Sequence, residues 1–295
     1  MSNENNKQYT ETPCYSRRFK KRKQMKFRIS IHSYDSPILV TAIHDGHFIP
    51  PSLLNDIHLE EHERMREEDP YTAYLADDQP ANSLIVGTSR FITDLNRPRR
   101  KCIYKNPEDA WGLQVWNKPL SEAVEKELLA YYDYFYMRVK NLMDTLIKRH
   151  GNFVVLDLHS YNHRRETPHL MADNRINPEI NIGSVHNYPK WHAFIQDFIS
   201  FLSKSNIAGH HPDVRENVKF KGGEFSNWLY RHYGNFGCVL SIEFKKTFMD
   251  EWTGRADIDH IQDLKKVIHD SIPYLTQKIK AMQKETSVFC TKFKL

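Results

Sequence analysis

Four short stretches of this chain put metal-ligating or proton-transferring side chains at the ends of apolar runs. The first is His44-Asp45-Gly46-His47, followed by Phe48-Ile49-Pro50-Pro51. Two histidines three apart after a strand converge on one ion if the turn between them is tight, and Gly46 makes such a turn easy. Neutral imidazole is the commonest zinc ligand, at about 2.0–2.1 Å. In a chain with 16 histidines a loop pair without metal reads the same way, so the motif needs company. The second stretch, Asp157-Leu158-His159-Ser160, closes an apolar run and offers a rigidly placed third ligand. Asp157 lies on the same strand face as His159 and would either support a ligating histidine from behind or cap a turn.

Glu243, in Ser241-Ile242-Glu243-Phe244-Lys245, is the third feature. A carboxylate where a buried strand meets a crevice is costly to desolvate and suits a general base of raised pKa. The plainer reading is a salt bridge to Lys245 or Lys246. The fourth stretch runs from Thr88 to Pro98 and carries Arg90, Asn96 and Arg97. Their planar guanidinium forks and amide suit a carboxylate or an oxyanion. Arg99 and Arg100 next door read as surface arginines. No G-x-S-x-G elbow, phosphate-binding P-loop or G-x-G-x-x-G is present, which excludes the common serine-hydrolase and nucleotide signatures.

Such residues need strands to hold them. Phe27–His32, Ile38–His44, Leu84–Thr88, Phe153–His159 and Cys238–Phe244 read as strands, several nearly all apolar as strands buried on both faces are. Helical patterns fill Ser121–His150, Tyr188–Ser203, Phe225–Tyr233 and Ile258–Lys284. The alternation predicts an α/β fold with a mixed or parallel sheet covered on both faces, and a ligand crevice at the carboxyl ends of the strands. The long loops at 98–120 and 160–188 would line it.

At 295 residues and 40% hydrophobic, residues 27–295 are expected to form one domain. Residues 1–26 hold eight Lys/Arg against two Glu, a net +6, and the remainder carries −1, the difference from the total of +5. They read as a disordered basic leader; the cluster Arg17–Lys23 could touch nucleic acid or an acidic surface, but a solvated arm is the plainer reading. No nucleic-acid partner is therefore expected. No apolar run reaches the roughly 18 residues that span a bilayer, and no signal-peptide core is evident. Four scattered cysteines without a C-x-x-C argue against a cysteine metal site and fit a cytoplasmic protein.

Taken in order, the four stretches resemble those of zinc carboxypeptidases, which carry H-x-x-E, D-x-N-R, D-x-H-S and a late catalytic glutamate. The fuller resemblance is to the related N-formylglutamate amidohydrolases. It rests on His44–Pro50, on Arg90 with Asp94-Leu95-Asn96-Arg97, on Asn217…Phe220-Lys221-Gly222-Gly223 and on Ile242-Glu243…Phe248-Met249-Asp250-Glu251, and covers about residues 38–252. The resemblance implies a three-layer α/β/α domain with a mixed central sheet and one zinc per chain at its carboxyl edge. It implies His44, His47 and His159 as ligands, Glu243 as general base and Arg90 as oxyanion stabiliser. Asn96 and Arg97 would hold the α-carboxylate of an N-formyl or N-acyl amino acid, with His163, Arg164 and Arg165 as further contacts. This chain departs from the carboxypeptidase pattern at His47, where the family has a glutamate, and Glu68 or Asp69 is the alternative ligand. A carboxypeptidase or deacylase acting on another substrate, or a non-catalytic binding protein on the same fold, are the competing expectations.

Overall fold

The computed structural model describes residues 11–13 and 25–292. Along the chain run β1 (Glu11–Pro13), β2 (Lys26–His32), β3 (Ile38–Ala42), α1 (Glu61–Glu67), α2 (Thr72–Ala76), β4 (Asn82–Val86) and α3 (Glu122–His150). There follow β5 (Phe153–Tyr161), β6 (Ile180–Gly183), α4 (His192–Ser203), β7 (Val214–Glu216), α5 (Glu224–Tyr233), β8 (Gly237–Lys245) and α6 (Ile258–Lys292). The strands form one mixed sheet in the order β1-β2-β4-β3-β5-β8-β6-β7. The central β4, β3, β5 and β8 are parallel, while β2 and β6 enter antiparallel to β4 and β8.

Strand periodicity builds the three layers. In β5, Phe153 and Val155 pack into one core with Leu128, Phe135 and Met143 of α3 and Phe225 and Leu229 of α5. Val154, Leu156 and Leu158 pack into the other with Phe198 of α4, Ile268 and Leu275 of α6 and Leu75 of α2. All nine residues of β5 are buried, which explains why the run reads as continuously apolar rather than alternating. The expected α/β/α architecture with a mixed central sheet is therefore the one observed. Helix α3 starts where Ser121 Oγ accepts from Val124 N and places Glu122 and Glu125 in its first turn; it stops at Gly151, whose φ of 75° suits glycine.

Most of the basic leader, including Arg17–Lys23, lies outside the described residues. Glu11–Pro13 pair antiparallel with Lys26–Arg28 at the sheet edge. Met25 is buried and donates its backbone N–H to Glu127; Phe27 then stacks on Tyr131 with ring centroids 4.0 Å apart. A chain starting at Met25 is expected to keep its fold and its turnover, since among the described residues it loses only a three-residue edge pairing. Melting temperature and activity of that truncation test this, and loss of activity with the fold intact would show the leader acting at the site. Among the described residues no helix is long and apolar enough to cross a membrane.

Candidate active site

β3, β5 and β8 run parallel, so their carboxyl ends lie together, and the register decides what meets there. His159 of β5 stands opposite Glu243 of β8, on the sheet face shared with Asp157 and Ser241 two residues earlier. Glu243 in turn pairs with Asn181 of β6. On the other side, Thr41 of β3 pairs with Asp157 and donates its hydroxyl to Asp157 Oδ1 at 2.7 Å. His44 follows β3 by two residues.

His44, Asp69 and His159 form a buried group whose ligand atoms all lie within 4.8 Å of one another. Nδ1 of His159 is 2.9 Å from Asp69 Oδ2, and Nδ1 of His44 is 3.5 Å from the same oxygen. The far nitrogens are held from behind: His44 Nε2 donates to Asp94 Oδ1 at 2.8 Å and His159 Nε2 to Asp157 Oδ2 at 3.0 Å. Each ring is thus fixed in orientation by a carboxylate. Asp94 also accepts from Arg90 Nη2 at 2.8 Å, from the backbone N–H of Asn96 and from the hydroxyl of Tyr104.

The charges respond to this packing. Burial opposes ionisation of Asp69, but hydrogen bonds from His159 and His44 outweigh it and hold Asp69 well below the usual carboxylate range. Burial also opposes charge on His159; Asp157 and Asp69 prevail and hold it well above the usual histidine range. Glu243 has no such rescue: burial pushes it up to about 8, and Asp69 and Asp157 add to the shift against the opposing pull of His159 and Arg90.

His47 is not part of the buried group. The would-be Cβ of Gly46 lies 2.4 Å from the backbone carbon of Gly87, so the turn presses against the end of β4 and carries His47 outward. Its ring is about one-third exposed and meets Glu68 through Nδ1 and Glu61 at 3.3 Å through Nε2. Asp45 is turned to α2, where it accepts from Ala73 N. The carboxylate beside His44 comes instead from Asp69, the residue two past α1. Its backbone N–H donates to His44 O at 3.0 Å, and Lys246 Nζ binds the carbonyls of Arg66 and Glu68 at 2.6 and 2.8 Å, which pins the segment in place. Glu68 faces away, toward His47 and Ser89.

The group opens into a cleft of about 340 Å³ lined by Glu243, Arg90, Asn96 and Arg97 among others. Asn96 also holds the neighbouring helix, since its Oδ1 caps α5 by accepting from Phe225 N and its carbonyl accepts from Glu224 N. Arg164 does not line this cleft; its guanidinium pairs with Asp250 at 2.9 Å and its backbone N–H donates to Glu251. Its neighbour Arg165 takes the place, held by Glu67 at 2.7 Å and lying over Trp111. Sequence reasoning also missed Lys219, Lys246 and Trp111 as cleft residues. Lys219 lay beside the Phe220–Gly223 segment, Lys246 reads in the sequence only as a salt-bridge partner for Glu243 whereas its Nζ binds backbone carbonyls, and nothing in the local pattern marks Trp111.

Comparison with known structures agrees with this architecture. An N-formylglutamate amidohydrolase from Ralstonia eutropha JMP134 superposes with a TM-score of 0.66 at 15% identity, over 85% of this chain and 99% of that one. A gene product of Agrobacterium tumefaciens gives 0.60 at 15% identity, over 85% and 96%. Among curated proteins no sequence matches significantly. Fold and sequence family together define a hydrolase of amide bonds built on a mixed α/β sheet. The N-formylglutamate amidohydrolase family model matches residues 36–249, more than half of the sequence, and the chain belongs to that family.

Proposed function

We propose that the chain is a zinc-dependent amidohydrolase that cleaves an N-formyl or N-acyl amino acid, with His44, Asp69 and His159 as the metal ligands. The observation that carries this reading is the buried His–Asp–His group with Glu243 one strand away. The donor set fits a divalent cation. Asp69 and Asp157 flank the two imidazoles in a buried space while Asp94 is already paired with Arg90, and a cation at the histidine Nδ1 atoms would take over from the proton in balancing the remaining negative charge. Two imidazole nitrogens and one carboxylate are a common zinc set that leaves a position for substrate or water. What a bound zinc ion supplies is Lewis acidity toward a carbonyl and a water.

The chain's own residues do the rest. Glu243 takes a proton from the attacking water and returns it to the departing nitrogen. Arg90, fixed by Asp94 and by the carbonyl of Glu67, stabilises the oxyanion, a contribution of about 3 kcal/mol in comparable sites. Arg97, over the ring of Tyr104 and partly exposed in the cleft, binds the α-carboxylate with the free amide nitrogen of Asn96. Lys219, Lys221 and Arg165 add positive charge to the same walls and favour an anionic substrate.

Purified protein is expected to contain about one zinc per chain and to hydrolyse members of an N-acyl amino acid panel, with both lost in His159→Ala while the fold persists. Elemental analysis, circular dichroism and the panel together check this. Full zinc retention in His159→Ala would remove the centre of the proposal.

A further inference from the structure

Asp94 is fully buried, and each of its two oxygens accepts a pair of hydrogen bonds. Oδ1 takes Nε2 of His44 and the backbone N–H of Asn96, both at 2.8 Å. Oδ2 takes Arg90 Nη2 at 2.8 Å and the hydroxyl of Tyr104. A carboxylate offers about four lone-pair positions, so this one is fully used. The same Arg90 nitrogen lies 3.4 Å from the Tyr104 oxygen, which places the hydroxyl between the carboxylate and the guanidinium. Burial, against the pull of Arg90, raises this hydroxyl above the usual tyrosine range, so it keeps its proton and remains a donor.

The ring has a neighbour of its own. The guanidinium of Arg97 lies over it, 5.6 Å from the centroid. The ring is 1% exposed and fixed, with Phe91 and Trp111 edge-on at 5.9 and 6.0 Å and Trp116 Nε1 donating to the Tyr104 carbonyl at 2.9 Å. Arg90 and Arg97 both line the cleft, whereas Tyr104 lies behind them. We infer that Tyr104 is a positioning residue acting through both arginines: its hydroxyl aims Arg90 at the acyl oxygen, and its ring seats Arg97 for the α-carboxylate. Without the hydroxyl, one lone pair of the buried Asp94 is unmet, and the Arg90 guanidinium is drawn in to cover it, away from the cleft. A donor withdrawn from the developing oxyanion weakens the transition state more than the bound substrate. Without the ring, Arg97 loses the aromatic face that holds its guanidinium, and the ground-state carboxylate is bound less well. The two losses therefore separate into kcat and KM. The inference rests on the proposed amide-hydrolysing site.

The test uses the zinc-loaded full chain with N-formyl-L-glutamate and N-acetyl-L-glutamate as substrates. Tyr104→Phe keeps the ring and its volume; kcat is expected to fall about 10–100-fold with KM within about twofold of the native value. Tyr104→Leu loses the ring as well and is expected to add a rise of about 3–10-fold in KM. A double-mutant cycle separates positioning from simple space-filling. In the Arg90→Ala background, Tyr104→Phe is expected to change kcat by less than about twofold, because the group through which the hydroxyl acts is gone. Zinc affinity of Tyr104→Phe should stay within about threefold, since the oxygen that holds His44 keeps both its donors. If Tyr104→Leu does not fold, Tyr104→Phe decides alone, because a hydroxyl acting through Arg90 leaves KM unmoved. A kcat loss that persists in full in Arg90→Ala, a KM that rises in Tyr104→Phe, or a zinc loss large enough to explain the slower rate would each overturn the inference and leave the hydrolase reading in place. No turnover of any acyl amino acid by the native chain would overturn both.

Discussion

Glu243→Gln is expected to keep metal and substrate bound and to lose most turnover. The amide has nearly the same shape, so the register against His159 and the packing around β8 persist. What it lacks is a basic oxygen to take the water's proton. General-base removal typically costs about 10²–10⁴-fold, and the loss should fall on kcat with KM little changed. The sign of the pH dependence follows from the same residue. A base must be ionised, and burial places Glu243 above the usual carboxylate range, up to about 8 in the metal-free protein; a bound cation lowers this. Activity of the native enzyme should therefore fall as pH drops through the Glu243 pKa, and the residual activity of Glu243→Gln should lack that acid limb. Arg97→Ala is the useful contrast, with a raised KM and a smaller change in kcat if the arginine clamps a ground-state carboxylate. Near-normal kcat in Glu243→Gln would mean that another group activates the water.

Asp69→Ala and His47→Ala are expected to separate cleanly. Losing a carboxylate behind a ligating histidine typically costs about 10–100-fold in metal affinity, and Asp69 lies between both histidines rather than behind one, so its loss should exceed about 10²-fold. Activity at limiting zinc should vanish with it, and excess zinc should restore part of the activity. His47→Ala removes contacts to Glu61 and Glu68 at the rim and should leave zinc content at about one per chain. Zinc titration of both variants decides the matter: metal kept in Asp69→Ala and lost in His47→Ala would return the ligand set to three histidines.

The substitutions differ because a three-residue spacing says nothing about which way a turn leaves the sheet. In the sequence, His44 and His47 are equivalent candidates. In the fold, close packing of Gly46 on Gly87 sends one inward and the other out. Asp69 was legible only as one of two carboxylates in Glu67-Glu68-Asp69-Pro70, since which of them lies beside His44 is set by a hydrogen bond to His44 and by Lys246, which follows β8 at the carboxyl edge of the sheet. Arg164 and Arg165 were likewise indistinguishable until Glu251 fixed the backbone of the first and Glu67 the side chain of the second.

What the amino-acid order determined alone was the set of central strands and long helices. Apolar runs of strand length, ended by His or Glu, can be buried on both faces only inside a covered sheet, so β3, β5 and β8 and the polar groups at their ends were readable. The short β6, with Asn181 amid its apolar residues, and the three-residue β7 carried too little pattern to find. The tertiary structure decided everything that depends on register and crossing. It set His159 beside Glu243, turned the Nδ1 atoms of two histidines toward Asp69, and brought Asn162, Glu67 and Arg165 together across nearly a hundred residues of chain. Local propensity sees neighbours along the chain, whereas a site at a sheet edge is assembled from neighbours across it.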